Sequence, residues 1–327
     1  MLPQTCLILL GCLQYWSPCD LMRCMEEQLR ELRSLAAKAQ NRLTDTGIPR
    51  VAMVQGKIPE HELSAVYEPM VNLILQGSKS ITVGEQTLHY DPATYFVMSI
   101  DLPATGAVRP ASTGEPYLAV ALTLEASILA ALLQDLPEAA EIAKPNEQTT
   151  AGFSVARVTS ELVDAWVRML RLMERPPDIA ALAPAYEREI LYRVLQGPHG
   201  GMLRDIASPD SAMARVSLAI QWIRRDFALP LRVEDLADKA AMSVSAFHRH
   251  FKAVTALSPV QYQKRIRLLQ ARKLMVTGGR NATSAALDVG YESPSQFSRE
   301  YARAFGLSPA RDSSRLLASA RGLQSMG

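Results

Sequence analysis

Cysteine is missing from the last 303 of the 327 residues: Cys6, Cys12, Cys19 and Cys24 all lie before residue 25. That excludes a disulfide framework and a thiolate metal centre from 25–327, and the early spacings match no usual zinc pattern. Histidine is scarce too, at five. In the N-terminal two thirds His61, His89 and His199 stand alone. No His-x-His with a following carboxylate is available to a metal-dependent β-barrel enzyme. No Ser-His-Asp or Cys-His set assembles either, so no catalytic residue, metal or cofactor is expected, and the chain reads as a non-enzyme. Long apolar runs are also lacking. The opening run, with Leu9-Leu10-Gly11-Cys12 resembling a lipoprotein processing box, has no positive segment before it and is too short to span a bilayer. No membrane partner is expected. Residues 25–40 (MEEQLRELRSLAAKAQ) open a helix with acids first and bases later. Residues 1–24 are therefore expected to be a non-native or disordered extension, and the cysteine-free remainder suits the cytoplasm.

The formal charge of +2 conceals an asymmetry. Residues 212–327 hold 18 Lys+Arg against 8 Asp+Glu, whereas 1–211 hold 17 against 25. A basic C-terminal third beside an acidic body is the signature of phosphate binding by one domain. Candidate phosphate contacts are Lys252, Lys264, Arg265, Arg267, Arg272 and Lys273.

Two stretches 50 residues apart spell one motif. Aligning 231–259 with 281–309 gives eight identities: Asp238/Asp288, Ser243/Ser293, Ser245/Ser295, Phe247/Phe297, Arg249/Arg299, Leu257/Leu307, Ser258/Ser308 and Pro259/Pro309. In the first copy 231–240 reads as a short helix, and Ser243 is a good N-cap for the next. Phe247, Phe251 and Val254 then fall at i, i+4 and i+7, a buried stripe. Ser245, His248, Arg249 and Lys252 take the opposite face. In the second copy 283–289 supports, Gly290 suits a positive φ, Ser293 caps, and Pro294 sits where its missing N–H costs nothing. Phe297, Tyr301 and Ala304 face inward; Ser295, Gln296, Arg299 and Arg303 face out. Helix, tight turn, helix with an outward Arg fits the major groove, where Arg pairs bidentately with guanine. Residues 259–276 form one amphipathic rod of roughly 25 Å, long enough to hold two such helices near one DNA turn apart, roughly 34 Å.

Residues 212–315 resemble the DNA-binding domain of the AraC/XylS family of bacterial transcription regulators. The residues that carry the likeness include Leu236-Ala237, Phe251-Lys252, Tyr262, Arg267, Ala271, Leu274, Gly290-Tyr291 and the Leu-Ser-Pro closures at 257–259 and 307–309. The resemblance implies that Ser245, His248 and Arg249 read bases from the first recognition helix, with Pro294, Ser295, Gln296 and Arg299 on the matching face of the second. Two departures stand out. Ala285, Ala286 and Leu287 replace an isoleucine-rich supporting helix, and Ala310-Arg311 replaces an aromatic-Arg pair. Both predict a looser second unit.

Upstream, residues 51–124 show period-two alternation with turn punctuation. Strands are expected at 70–75, 80–83, 86–90, 95–100 and 117–124. Helices are expected at 125–133, 159–174 and 184–195, loops at 139–151 and Pro176-Pro177, a linker bend at 197–201 and a helix over 213–227. Tyr67-Glu68-Pro69, Leu75-Gln76-Gly77, Tyr90-Asp91-Pro92, Ser99 to Pro103 and Pro116-Tyr117-Leu118 resemble the N-terminal domain of an AraC-type group, a cupin-like β-barrel followed by helices. That implies effector sensing, with dimerisation through the helices at 159–195. Ser99 and Asp101, at a strand end before Pro103, are candidates for a barrel-mouth pocket with Tyr90, Tyr95 and Met98. The plainer alternatives are turn capping by Asp101, backbone satisfaction by Ser99 and core packing by the other three.

The expected fold class is α+β: a cupin-like barrel with following helices over 25–200, an all-α domain of two helix-turn-helix units joined by a long helix over 212–315, and a tail at 316–327. The expected partners are double-stranded DNA, an unidentified small-molecule effector, RNA polymerase for an activator, and a second copy in a homodimer. Two alternatives remain: a ligand-independent dimer whose β-domain is only a scaffold, and a catalytic cupin fused to a DNA-binding domain.

Overall fold

The computed structural model describes residues 18–39, 43–56, 62–136 and 151–324. Residues 1–17 of the extension expected at 1–24, and nearly all of the loop expected at 139–151, lie outside these residues, whereas 18–24 open a helix. Helix α1 (Pro18–Ala36) starts seven residues before Met25. A proline is tolerated there because first-turn N–H groups have no partner within the helix. Leu29, Leu32, Leu35 and Ala36 are buried at helical spacing, and Arg33 Nε donates to the Leu75 carbonyl at 3.1 Å.

Ten strands follow among the described residues: β1 (Leu43–Asp45), β2 (Val51–Gly56), β3 (Glu62–Tyr67), β4 (Met70–Gln76), β5 (Ser78–Val83), β6 (Gln86–Tyr90), β7 (Thr94–Met98), β8 (Leu102–Arg109), β9 (Tyr117–Thr123) and β10 (Phe153–Arg157). They form a six-stranded sheet in the order β1-β2-β9-β4-β7-β10 and a four-stranded sheet in the order β3-β8-β5-β6. Every ladder is antiparallel. The runs expected at 70–75, 80–83, 86–90, 95–100 and 117–124 correspond to β4, β5, β6, β7 and β9, with β7 ending at Met98 and β9 at Thr123. Strand β8 was not expected, because Pro103 and Gly106 weaken the local signal. Its period shows only in burial: Leu102, Ala104 and Val108 are buried and Thr105 half-buried. The chain passes from one sheet to the other at 99–101, between β7 and β8.

Helices α2 (Ala126–Gln134), α3 (Ser160–Arg171), α4 (Ile179–Gln196) and α5 (Gly200–Ala207) pack after the sheets. Trp166 and Leu170 of α3 are fully buried. The linker bend expected at 197–201 is only a turn at 197–199, since Gly200 and Gly201 already belong to α5. The C-terminal region holds α6 (Ala212–Arg225), α7 (Val233–Lys239), α8 (Val244–Thr255), α9 (Pro259–Thr277), α10 (Ala282–Asp288), α11 (Pro294–Phe305) and α12 (Pro309–Gln324). The expected tail is helical through Gln324. No helix among the described residues is long and apolar enough to cross a membrane.

One apolar core runs from Leu29 through both sheets to Phe247, Phe251 and Ile266, so the first helix-turn-helix unit shares the core of the N-terminal region. The second unit has its own cluster, built on Leu268, Ala271, Met275, Ala285, Phe297 and Tyr301. Helix α9 supplies residues to both and couples them. Gly290 lies at φ +85°, and a Cβ there would strike the Ala228 carbonyl. Left-handed backbone costs an L-residue about 1–2 kcal/mol before any clash. Gly290→Ala should therefore lower stability by at least about 2 kcal/mol, read as a lower denaturant midpoint at constant slope.

Candidate nucleic-acid interface

The two recognition helices are built alike. Each has twelve residues. Ser243 Oγ accepts from the Ala246 amide and Ser293 Oγ from the Gln296 amide, both at 3.3 Å. Each ends on a left-handed residue, Ala256 at φ 58° and Gly306 at φ 74°. Between them α9 starts with a full capping box on Ser258 and Gln261. Aromatic packing fixes both helices from below. Phe247 meets Phe251 at 5.4 Å between centroids, and Phe251 meets Tyr262 edge-on at 5.6 Å. In the second unit Phe297 contacts Tyr291 at 5.3 Å and Tyr301 at 5.4 Å, while Tyr301 meets Phe305 at 4.5 Å.

Of the supporting-helix residues behind the expectation of a looser second unit, Ala285 and Ala286 are buried and Leu287 is exposed. Ala285 and Ala286 share one apolar cluster with Tyr291, Phe297 and Tyr301. Beneath them Asp312, fully buried, accepts from Arg272 Nε at 2.8 Å and Nη2 at 3.1 Å, from the Tyr301 hydroxyl at 2.9 Å and from Arg315 at 2.8 Å. Burial pushes its carboxyl up, but these hydrogen bonds prevail and hold it below the usual carboxylate range.

Ser245, His248, Arg249 and Lys252 are exposed on α8; Ser295, Gln296, Arg299 and Arg303 are exposed on α11, with Pro294 half-buried. Gln296 Nε2 donates to Glu300 at 3.2 Å. Glu300 also takes the Tyr291 hydroxyl at 2.8 Å and pairs with Lys264 at 2.7 Å.

Two of the six basic residues expected at phosphates are internal fasteners instead. Arg267 spends its donors on carbonyls: Nε on Phe227 at 2.7 Å, Nη1 on Gly290 at 3.0 Å, and Nη2 on Ala228 at 3.1 Å and Leu229 at 3.0 Å. It ties α9 to the loop before α7 and to the turn of the second unit. Arg272 is buried against Asp312. Their positions on an amphipathic rod look like surface charge, and only the tertiary fold reveals their partners. Lys252 and Lys273 are exposed, Arg265 is half-buried, and Lys264 is paired with Glu300. Lys252→Ala should weaken DNA binding almost uniformly across sequences and lower the salt slope by about 1. Arg267→Ala should instead lower stability by about 2–4 kcal/mol, since it leaves four carbonyls short of a charged donor. Salt-dependent titrations beside denaturation curves separate the two effects.

The five residues expected to share an effector pocket do not line one space. Tyr95 donates or accepts at His199 Nδ1 over 3.1 Å, and Met98 is buried in the core. Burial lowers the His199 ring to about 4, keeping it neutral. Tyr90 borders a small cavity beside β5 and β6. Ser99 and Asp101 border a different one, about 470 Å³ in size, between the sheet crossing and α6. Ser99 Oγ donates to the Gly152 carbonyl at 2.9 Å, which is the backbone role weighed for it. Lys79, expected in a turn, lies in β5 with its Nζ 4.9 Å from the Tyr67 ring centroid. Burial lowers its amine to about 8.

Asp101 ties the two halves of the chain together. Its carboxylate pairs with Arg224 of α6, and its backbone carbonyl accepts from the Tyr262 hydroxyl at 2.8 Å. Nearby, the Gly152 amide donates to the Val254 carbonyl at 2.8 Å. A Cβ on Gly84 would sit 2.7 Å from the Ala256 carbonyl. The C-terminal end of α8 thus rests on the β-domain while its Ser245–Arg249 face stays open. Arg224 and Tyr262 carried no local signal, since they lie more than a hundred residues from Asp101 in sequence. Among the described residues no group of three His, Cys, Asp or Glu side chains is placed to hold a metal.

The comparisons with known proteins agree on what this architecture is. The family described as the AraC-type transcriptional regulator N-terminus matches residues 47–202, and a helix-turn-helix domain family matches 236–315. The transcriptional activator RhaS of Escherichia fergusonii is 29% identical over 182 residues, 55% of this chain and 62% of its own. RhaS of Citrobacter koseri is 29% identical over 167 residues, 50% of this chain and 59% of its own. The match thus spans only about 60% of those relatives' length. Among solved structures, fatty-acid-bound ToxT from Vibrio cholerae superimposes with a TM-score of 0.53 at 13% identity, over 81% of this chain and 93% of that one. That likeness is one of fold. The paired helix-turn-helix units, the antiparallel β-domain before them and both family matches together establish that this chain belongs to the AraC family of DNA-binding transcription regulators.

Proposed function

We propose that the chain reads two adjacent major-groove segments with α8 and α11 and that its N-terminal β-domain senses a small molecule. The observation that supports this most is the matched pair of recognition helices. Both are capped by serine, seated on phenylalanine and tyrosine, and carry an exposed Arg at the same position of the motif. Ser245, His248 and Arg249 read bases from the first helix, and Pro294, Ser295, Gln296 and Arg299 from the second. Lys252 and Lys273 hold phosphates, with Lys264 and Arg265 beside them. The nineteen residues of α9 make a rod of about 28 Å, matching recognition helices spaced on one face of the duplex.

The RhaS relatives are named transcriptional activators, and the proposed role here is activation, with RNA polymerase as a partner. The chain acts as a cytoplasmic homodimer, through the helices after the β-domain, without catalysis. Its domains are the sensing and dimerisation region, 25–200, and the DNA-binding region, 212–315. The test is sequencing of genomic fragments retained by the purified protein at near-physiological salt. Enrichment of a bipartite motif with half-sites about one helical turn apart is expected. Retention with no enriched sequence would overturn the reading.

A further inference from the structure

Gln296, in the first turn of α11, is not free to choose which end of its amide it shows the DNA. Its Nε2 donates to Glu300 Oε1 at 3.2 Å, one helical turn further on. Glu300 is itself held from two other places. Lys264 of α9 reaches Oε1 at 2.7 Å, and the Tyr291 hydroxyl, from the turn before α11, donates to Oε2 at 2.8 Å. Glu300 is half-buried and Gln296 exposed, so the acid braces the amide from the protein side. Burial pushes the Glu300 carboxyl up, but the hydrogen bonds from Lys264, Tyr291 and Gln296 hold it below the usual carboxylate range. The first unit has no such brace: Ala246 and His250 stand at the positions that match Gln296 and Glu300.

An ionised carboxylate accepts and cannot donate. The amide must therefore turn its nitrogen to Glu300 and its Oε1 away. What is left for a base is an acceptor, Oε1, beside the second hydrogen of Nε2. Adenine offers the complement in the major groove, an N6 amino donor beside the N7 acceptor, whereas guanine offers two acceptors, O6 and N7. A free glutamine meets guanine by turning its amino group outward. Here that turn would set Oε1 against the Glu300 carboxylate.

We propose that Glu300 is a positioning residue that presets Gln296 to read adenine over guanine, giving the half-site under α11 an adenine that the half-site under α8 need not share. The proposal rests on the base-reading role given to Gln296 above and adds the base and the residue that fixes it.

The test is selection from a randomised duplex library with the full-length protein, then titration of the selected duplex. The wild type should favour adenine over guanine at one position of the α11 half by about tenfold or more, and Gln296→Ala should bring that ratio close to one. At that position 7-deazaadenine lacks the N7 acceptor and purine lacks the amino group. Each should weaken wild-type binding about fivefold or more and leave Gln296→Ala unmoved. Glu300→Gln keeps the shape but can donate as well as accept, so the Gln296 amide is released. The adenine-to-guanine ratio should then fall about threefold or more, while the preference set by Arg299 is retained. Tyr291→Phe keeps the packed ring and removes one anchor of the carboxylate. It should shift the ratio the same way by less, and it gives the readout where Glu300→Gln fails to fold. An unchanged ratio in both variants, equal loss of the Arg299 preference, or a wild-type preference for guanine at that position would overturn the proposal. A bipartite motif with no adenine sensitive to Gln296 defeats only this assignment, whereas retention with no enriched motif defeats the base-reading role beneath it.

Discussion

Asp312→Asn should destabilise the second helix-turn-helix unit by about 3–5 kcal/mol, because it leaves Arg272 as an uncompensated buried charge. Asp312 is wholly buried and collects four hydrogen bonds from three side chains, two of them cationic. Its amide replacement keeps the shape but not the charge. The exposed partner provides the control: Arg315, about half exposed, should cost under about 1 kcal/mol when replaced by Ala. Hydrogen exchange should show the loss confined to α10–α12, since that unit has a core separate from the rest. The acid limb follows the same carboxylate. Its folded pKa lies below the ordinary value, so the unfolded chain takes up this proton first. The stabilisation is fully present above about pH 4 and disappears as pH falls through the folded pKa. In Asp312→Asn that part of the acid dependence should vanish. A change under about 1 kcal/mol in Asp312→Asn would show the cluster to be ornamental.

Much of this was legible in the sequence, and the boundary has a physical basis. The second helix-turn-helix unit announced itself through Ser293, Pro294, Phe297 and Gly290, because caps, helix starts and left-handed turns are local requirements. Strands with clean alternation, such as 86–90, could be read for the same reason. Strand β8 was hidden by Pro103 and Gly106, which a central strand tolerates only when its neighbours supply the packing. Arg267 and Arg272 read as surface charge because their partners, Phe227 to Leu229 and Asp312, are about 40 residues away. The pocket expectation failed likewise. Tyr90 ends β6 of the four-stranded sheet and Tyr95 lies in β7 of the six-stranded one, so the two side chains belong to different sheets. The sheet crossing at 99–101 carries Ser99 and Asp101 away from both. The approach of Arg224 and Tyr262 to Asp101 is a property of domain docking, with no counterpart in any window of sequence.

Arg249→Ala should reduce affinity at a bipartite site by about 1–3 kcal/mol, roughly 5- to 150-fold, and erase base preference in one half-site only. Arg299→Ala should do the same to the other half. Both side chains are exposed and neither holds an ion pair among the described residues, so the loss reports on DNA and not on folding. Because the two helices sit on separate cores joined by α9, the two losses should add within about 0.5 kcal/mol. Neither variant should change the unfolding midpoint. Loss of preference in the same half-site for both would mean that the helices do not divide the sequence between them. Unchanged preference in both would remove these arginines from the readout.

Hydroxyl-radical footprinting of the wild-type protein on its enriched site tests the two-helix claim most directly. The account predicts two protected segments on one face of the duplex, centred about 10 base pairs apart, with Arg249→Ala fading one and Asp312→Asn the other. A single protected segment, unaffected by Asp312→Asn, would contradict it, because the second recognition helix would then be folded beside the DNA without reading it.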